Sequence, residues 1–288
     1  MRFDPNEPMA LLPDAVNQIV GLMQGKIVQQ EAKIPEAFAI DAAGGRQSDP
    51  TQGMIAVVPL WGVLTPSGDD LGYGTSLDDF TRLIGQLDAN QNVSTIVLNV
   101  RSPGGTVTGT PEASAAVRAV RDGGRTKIVS VANGMMASAA VWIGAAASEV
   151  IVTPSGEAGS IGVISMYADL SKAYEAMGIK IDVMRVPAKK ARFSGVEPMT
   201  EEMKRHREER LEMSYAAFKR SMADNRGIRI DSVEGKFGGG EMMSAKEALE
   251  AGLVDGIATL DETIARLAGL APKRAPSNAR AQLAKAML

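Results

Sequence analysis

The chain has 288 residues, 45% hydrophobic and 23% charged, with a formal net charge of −3. That is ordinary globular composition, enough for one or two domains, and a poor generic match to nucleic acid or anionic lipid. There is no cysteine and one histidine, His206, which excludes disulfides, thiolate zinc sites, cysteine nucleophiles and multi-histidine metal sites.

The first residues mix acids and prolines where a secretory signal needs a basic and then an apolar run. Residues 9–32 carry Leu11, Leu12, Val16, Ile19, Val20 and Met23 at helical spacing, so residues 1–50 read as a helical arm. The Gly-, Ser- and Pro-containing stretch 41–53 reads as a linker. From Met54 onward, strand and helix patterns alternate. Residues 54–64 predict one or two strands, interrupted near Pro59 and Gly62. Ser76 caps a helix whose inner face holds Phe80, Leu83, Ile84 and Leu87. Residues 96–100 predict a short buried strand, followed by a turn over residues 101–106. Thr110, Pro111 and Glu112 open the next helix. A strand over 127–131 and a helix over 136–147 follow, then strands over 149–152, 161–164 and 179–184. Thr200 caps a charged helix with Glu201/Arg205 and Lys204/Glu208 at i,i+4 spacing. Ser244 opens a helix ending at Gly252, with a strand after it. Residues 271–288 hold Pro272, Pro276 and basic residues without an acid, and read as a tail. The repeated strand-helix units predict an α/β fold with a largely parallel sheet. The most apolar stretch, 135–147, is too short and weakly hydrophobic to span a bilayer.

Three segments have residues suited to chemistry. Arg101-Ser-Pro-Gly-Gly-Thr106 leaves backbone N–H groups unshielded, in position to hold an oxyanion or a phosphate, or simply to turn the chain. Asn133-Gly-Met-Met-Ala-Ser138 places a serine at a predicted helix start among small neighbours. There the helix dipole favours a developing alkoxide; taken alone, it is also an unremarkable small residue. Pro187-Ala-Lys189-Lys190 follows a predicted strand, and an isolated lysine pair in a loop is ordinarily just solvated. Together they matter more, because with no cysteine and one histidine, serine plus lysine is the remaining nucleophile-base pair. Such a base faces a demand. An ordinary lysine has a pKa of about 10.4, and a useful base needs about 7 to 8, a difference of roughly 4 kcal/mol. Desolvation away from carboxylates supplies it. His206, flanked by Lys204, Arg205 and Arg207, suits a solvated helix face.

The ordered set Ser102-Pro-Gly-Gly105, Gly134-Met-Met-Ala-Ser138, Gly159-Ser-Ile-Gly-Val163, the Lys190 segment and Ala248-Leu-Glu-Ala-Gly-Leu-Val-Asp255 resembles the signal peptide peptidase A-type serine/lysine peptidases. The resemblance covers about residues 54–265 and implies a Clp-protease/crotonase-like fold. It implies Ser138 as nucleophile, Lys190 as general base in preference to the adjacent Lys189, and Ser160 as the residue orienting the lysine. Gly104 or Gly105 would give the oxyanion-hole N–H. The helical arm, a single short core and no membrane anchor make the chain look most like a head maturation protease of tailed phages. Such a protease forms a ring- or dome-shaped homo-oligomer in the host cytoplasm or procapsid interior and cuts capsid, scaffold or portal proteins. It needs no cofactor, metal or nucleic acid. Two other readings are a peptidase clearing signal-peptide remnants and a non-catalytic structural protein with the same fold. The small residues around Ser138 predict cleavage after Ala-like residues, with residues 41–53 or 271–288 as sites of self-cleavage.

Overall fold

The computed structural model describes residues 9–11, 38–40, 53–68 and 74–270. In chain order the strands are β1 (Met9–Leu11), β2 (Phe38–Ile40), β3 (Met54–Thr65), β4 (Thr75–Ser76), β5 (Val93–Thr106), β6 (Lys127–Ala137), β7 (Glu149–Val152), β8 (Glu157–Gly159), β9 (Met242–Ser244) and β10 (Gly256–Ile257). The helices are α1 (Leu77–Ala89), α2 (Thr110–Gly123), α3 (Ala139–Gly144), α4 (Ser171–Ala176), α5 (Glu201–Arg226), α6 (Val233–Lys236), α7 (Ala245–Ala251) and α8 (Leu260–Leu267). Two short 3₁₀ turns flank α6.

The sheet order is β10-β7-β6-β5-β3-β2. From β3 to β10 every neighbouring pair along this path is parallel. Strands that run parallel in chain order need crossovers, and α1, α2 and α3 provide the first three. Period-two alternation divides the strand side chains between two faces. Val58, Leu60, Ile96, Leu98 and Val100 face the larger core under α1, α2 and α3. Ile55, Val57, Val97, Val129, Val131 and Ile151 face a smaller core beneath α8.

Local signals set most helix ends. Ser76 Oγ accepts from the Asp79 N–H at 3.2 Å, and Thr200 Oγ1 from the Met203 N–H at 3.3 Å. Ser244 with Glu247, and Thr259 with Glu262, form reciprocal capping boxes. Gly252 ends α7 in the left-handed region. In the Ala248–Asp255 motif, the Val150 N–H donates to Asp255 Oδ2 at 2.8 Å, and Arg226 reaches Oδ1 at 2.5 Å. That motif therefore ties β7 and the end of α5 to the approach of β10. Burial pushes the Asp255 carboxyl up, but the Arg226 and Val150 hydrogen bonds outweigh it and hold the group below its ordinary value.

Several boundaries differ from the sequence reading, each for a pairing reason. Residues 101–106 are not a turn: β5 continues through them, because β3 pairs with Gly104 and Gly105. β3 is a single strand with an irregularity between Trp61 and Val63. Met136 and Ala137 belong to β6, paired with β8, so the helix begins at Ala139. Residues 179–184 form no strand; among the described residues none pairs with them, and Met184 is 96% exposed. Residues 161–164 contain at most an isolated bridge. Within the arm, Met9–Leu11 and Phe38–Ile40 are strands, because the edges of β5 and β3 pair with them. The remainder of the predicted arm helix, most of the 41–53 linker and the 271–288 tail lie outside the described residues.

α5 is largely exposed and is held by a few contacts. Phe218 stacks on Trp142 of α3 at 4.4 Å between ring centroids, and both are buried. We expect Phe218→Ala to cost about 3–5 kcal/mol, read as a lower denaturation midpoint, with Phe218→Leu much milder. An unchanged midpoint in Phe218→Ala would show that the stack does not anchor α5. The Asp255 clamp is half-exposed, so Asp255→Asn is expected to cost only about 1 kcal/mol after screening. A depressed carboxyl stabilises above its ordinary value and loses that effect as pH falls through its lowered one. The difference between Asp255→Asn and wild type should therefore be full at neutral pH and vanish in strong acid. A difference that persists there contradicts the clamp.

Candidate active site

β6 ends at Ala137 and α3 starts at Ala139, so Ser138 is the junction. Its backbone is at φ 53°, ψ −116°, a region that costs a residue with a Cβ about 1–3 kcal/mol. Its N–H donates to Gly159 O at 2.9 Å, and its C=O accepts from the Trp142 N–H at 3.0 Å. The side chain does not cap α3; Oγ instead donates to Gly162 O at 3.3 Å. The serine is fully buried and is held by two carbonyls of the Gly159–Gly162 segment.

That segment is itself constrained. Gly159 has φ 148°, and a Cβ there would lie 2.5 Å from Glu241 O. Ser160 also has positive φ, 55°, and its N–H donates to Glu241 O at 2.7 Å. Gly-Ser-Ile-Gly is thus a bracket for Ser138 fastened to the approach of β9. The sequence singles out Ser160 in this motif, whereas the direct partners of Ser138 are the carbonyls of Gly159 and Gly162. Backbone partners of this kind have no side-chain signature.

On the adjoining strand, Ser102 is buried and donates to Gly62 O at 2.7 Å. It also accepts from the Gly104 N–H at 3.1 Å. Gly105 packs so tightly on β3 that a Cβ would lie 1.8 Å from Leu64 O. β5 and β6 run parallel with Ser102 opposite Met136. That last pair stands two residues before Gly104 on β5 and two before Ser138, just past the end of β6. The fold therefore brings Ser138, the Ser160 segment and the Gly104–Gly105 strand into one neighbourhood.

No hydrogen bond joins Lys190 to these residues. Its side chain is exposed and makes no hydrogen bond or ion pair among the described residues; its backbone N–H donates to Pro187 O at 2.9 Å. Lys189 is also exposed, but it pairs with Glu202 at 2.6 Å, where Arg192 also arrives at 3.1 Å. Hydrogen bonds from Lys189 and Arg192 hold the Glu202 carboxyl down to about 2. This clamp is complete above the ordinary carboxylate value and is lost only as pH falls through about 2. His206 is exposed and lies over the Phe193 ring, as a solvated helix face requires.

A cleft of about 1060 Å³ opens beside the site, between Arg101, Asn133, Thr153 and the start of α8. Ser102 reaches both, but neither Ser138 nor Lys190 lines the cleft. Among the described residues no group of His, Asp and Glu side chains is placed to hold a metal ion. Among them, too, no helix is long and apolar enough to cross a membrane.

Comparison with known proteins identifies the family. Protease 4 of Salmonella typhi is 28% identical over 222 residues, covering 77% of this chain and 35% of that protein. Capsid assembly protease C of Escherichia phage lambda is 26% identical over 243 residues, covering 83% of this chain and 54% of that protein. The chain thus spans 35% and 54% of the length of these two relatives. Among solved structures, the 1510-N membrane-bound stomatin-specific protease superposes with a TM-score of 0.51 at 14% identity, over 75% of this chain and 85% of that one. The fold is the α/β Clp-protease-like fold expected from the sequence. A model of peptidase family S49 matches residues 122–273, which include Ser138, Ser160, Lys190 and the Ala248–Asp255 motif, and the chain belongs to that family.

Proposed function

We propose that this chain is a serine endopeptidase using a Ser138–Lys190 dyad, and that it cuts capsid, scaffold or portal proteins during phage head maturation. The observation that carries the reading is Ser138 itself. It is a buried serine at positive φ, fastened by Gly159 at the end of the strand that pairs with β5 as far as Ser102. Strain of this kind persists where the surroundings over-determine it, as at a nucleophile. The phage assignment is supported by likeness to Capsid assembly protease C of phage lambda and to the Head-tail preconnector protein GP5 of phage P21, which is 24% identical.

In the proposed reaction the neutral Lys190 amine takes the Ser138 Oγ proton, replacing Gly162 O as its acceptor. Oγ attacks the substrate carbonyl, and the peptide C–N bond breaks as the lysine returns the proton to the leaving amine. Water then attacks the acyl-enzyme by the same proton path. Gly105 is the better oxyanion donor of the two glycines, because Gly104 N–H is already taken by Ser102 Oγ. Lys190 is the better base of the two lysines, because Lys189 is committed to Glu202. Ser160 orients the lysine amine.

Lys190 is exposed in the single chain, whereas a general base of this kind needs a site shielded from water. Met184 and Val186, close to it in sequence, are 96% and 94% exposed. We infer that a second copy covers this segment and dries the lysine, so the site is completed only in a homo-oligomer.

The test is hydrolysis of a peptide with alanine before the scissile bond, using the full chain over a range of concentrations. Ser138→Ala and Lys190→Ala should each lose about a thousandfold or more, while Lys189→Ala stays within about threefold. Specific activity should rise with concentration in step with assembly seen by light scattering. Full activity in Lys190→Ala, or activity per chain that ignores assembly, contradicts the reading.

A further inference from the structure

The lane beside β5 at the nucleophile has an occupant. β5 and β6 pair up to Ser102 and Met136. Beyond that point β6 leaves the sheet for α3 at Ser138, while β5 runs on to Thr106. One edge of β5 there is taken by β3, with Val63 opposite Gly104 and Leu64 opposite Gly105. The other edge, on the side that β6 has vacated, carries β1. It pairs antiparallel, with Leu11 opposite Gly104, Ala10 opposite Gly105 and Met9 opposite Thr106. Leu11 therefore lies across from Gly104, two residues past the last pair of β5 with β6.

We propose that the chain's own Met9–Leu11, paired on the Gly104–Thr106 edge of β5 where an extended substrate would lie, is a built-in pseudo-substrate. The proposal rests on the peptidase reading for what happens after binding, but not for the binding itself. An extended segment adds to a free sheet edge through main-chain hydrogen bonds, which hold it whatever its sequence. The arm strand meets that description: it is one extended stretch on one open edge, in register with Gly104–Thr106. It is also tethered, since Phe38–Ile40 pair antiparallel with β3 further along the chain. A tethered occupant competes at high effective concentration. Three residue pairs make a short ladder, and Pro8 and Pro13 on either side have no N–H with which to extend it. A longer substrate strand is therefore able to displace the arm. Gly105, the proposed oxyanion donor, lies opposite Ala10, so the occupied edge and the productive site exclude one another.

The absence of native cysteine makes the pairing directly testable. In the full chain carrying Ser138→Ala, Met9→Cys and Thr106→Cys are combined, with each single cysteine as control. The probe is a fluorescent peptide with the sequence of residues 4–15, and binding is followed by anisotropy. On oxidation we expect an intramolecular disulfide, seen as protection of both thiols from maleimide. Peptide binding should then weaken at least tenfold and return on reduction. Without the cysteines, Ala10→Pro and Leu11→Pro are the second arm of the test. Alternate residues of an antiparallel strand exchange both bonds with the partner, so at least one of these prolines removes a ladder bond. That variant should bind the peptide several-fold more tightly than its parent. Free thiols after oxidation, undiminished peptide binding by the locked form, or no binding by any form overturns the proposal. Locking that controls binding, in a chain whose Ser138 form hydrolyses nothing, leaves the proposal standing and removes the peptidase reading instead.

Discussion

Ser138 is held where a residue with a side chain does not rest unaided. Its positive-φ backbone is stabilised from Gly159, whose carbonyl takes its N–H, and from α3, whose first hydrogen bond it accepts. Gly159 must itself be glycine, because Glu241 O occupies the space a Cβ would need. The approach to β9, the Gly159–Gly162 bracket and the end of β6 thus form one rigid unit. The parallel register of β5 against β6 runs to Ser102 and Met136, two residues before Gly104 and Ser138. The Trp142–Phe218 stack fastens α3 to α5, and α5 begins just after the lysine segment. Precision at one buried serine therefore depends on contacts spread across most of the described chain.

The same rigidity contrasts with the lysine segment. Residues 179–190 are mostly exposed and make little regular structure. Their tethers run to Glu197, ahead of α5, through Arg185, and to Glu202 in the first turn of α5, through Lys189. A base needs the opposite environment from the one Lys190 has in a lone chain. On the proposed reading this is a control: a nucleophile set within each chain and a base that is dried only on assembly keep the peptidase silent until many copies meet. The arm strand on β5 would add a second restraint at the same place.

Much of this was legible in the sequence, and what was not has specific physical causes. Caps at Ser76, Thr200 and Ser244 are local chemistry, and the helices begin there. The β3, β5, β6 and β7 cores show as apolar runs because both faces of a parallel sheet are buried. Residues 101–106 have the composition of a turn, with Pro103 and two glycines, but long-range pairing with β3 keeps them a strand. Residues 179–184 have the alternation of a strand, yet nothing among the described residues pairs with them. Met9–Leu11 carries a helical pattern, and the edge of β5 overrides it. The family motifs pointed to Ser138 and the Gly159 segment together. The carbonyls that grip the serine, and the amide at Gly104 already used by Ser102, were invisible because any residue type has them.

The most direct measurement of the central claim is covalent capture of the nucleophile. A fluorophosphonate probe is added to the full chain, dilute and assembled, and the adduct is mapped by peptide mass spectrometry. The account requires the adduct on Ser138, formed in the assembled state, abolished by Lys190→Ala and retained in Lys189→Ala. An adduct on another serine, or equal labelling of Ser138 with and without Lys190, contradicts it.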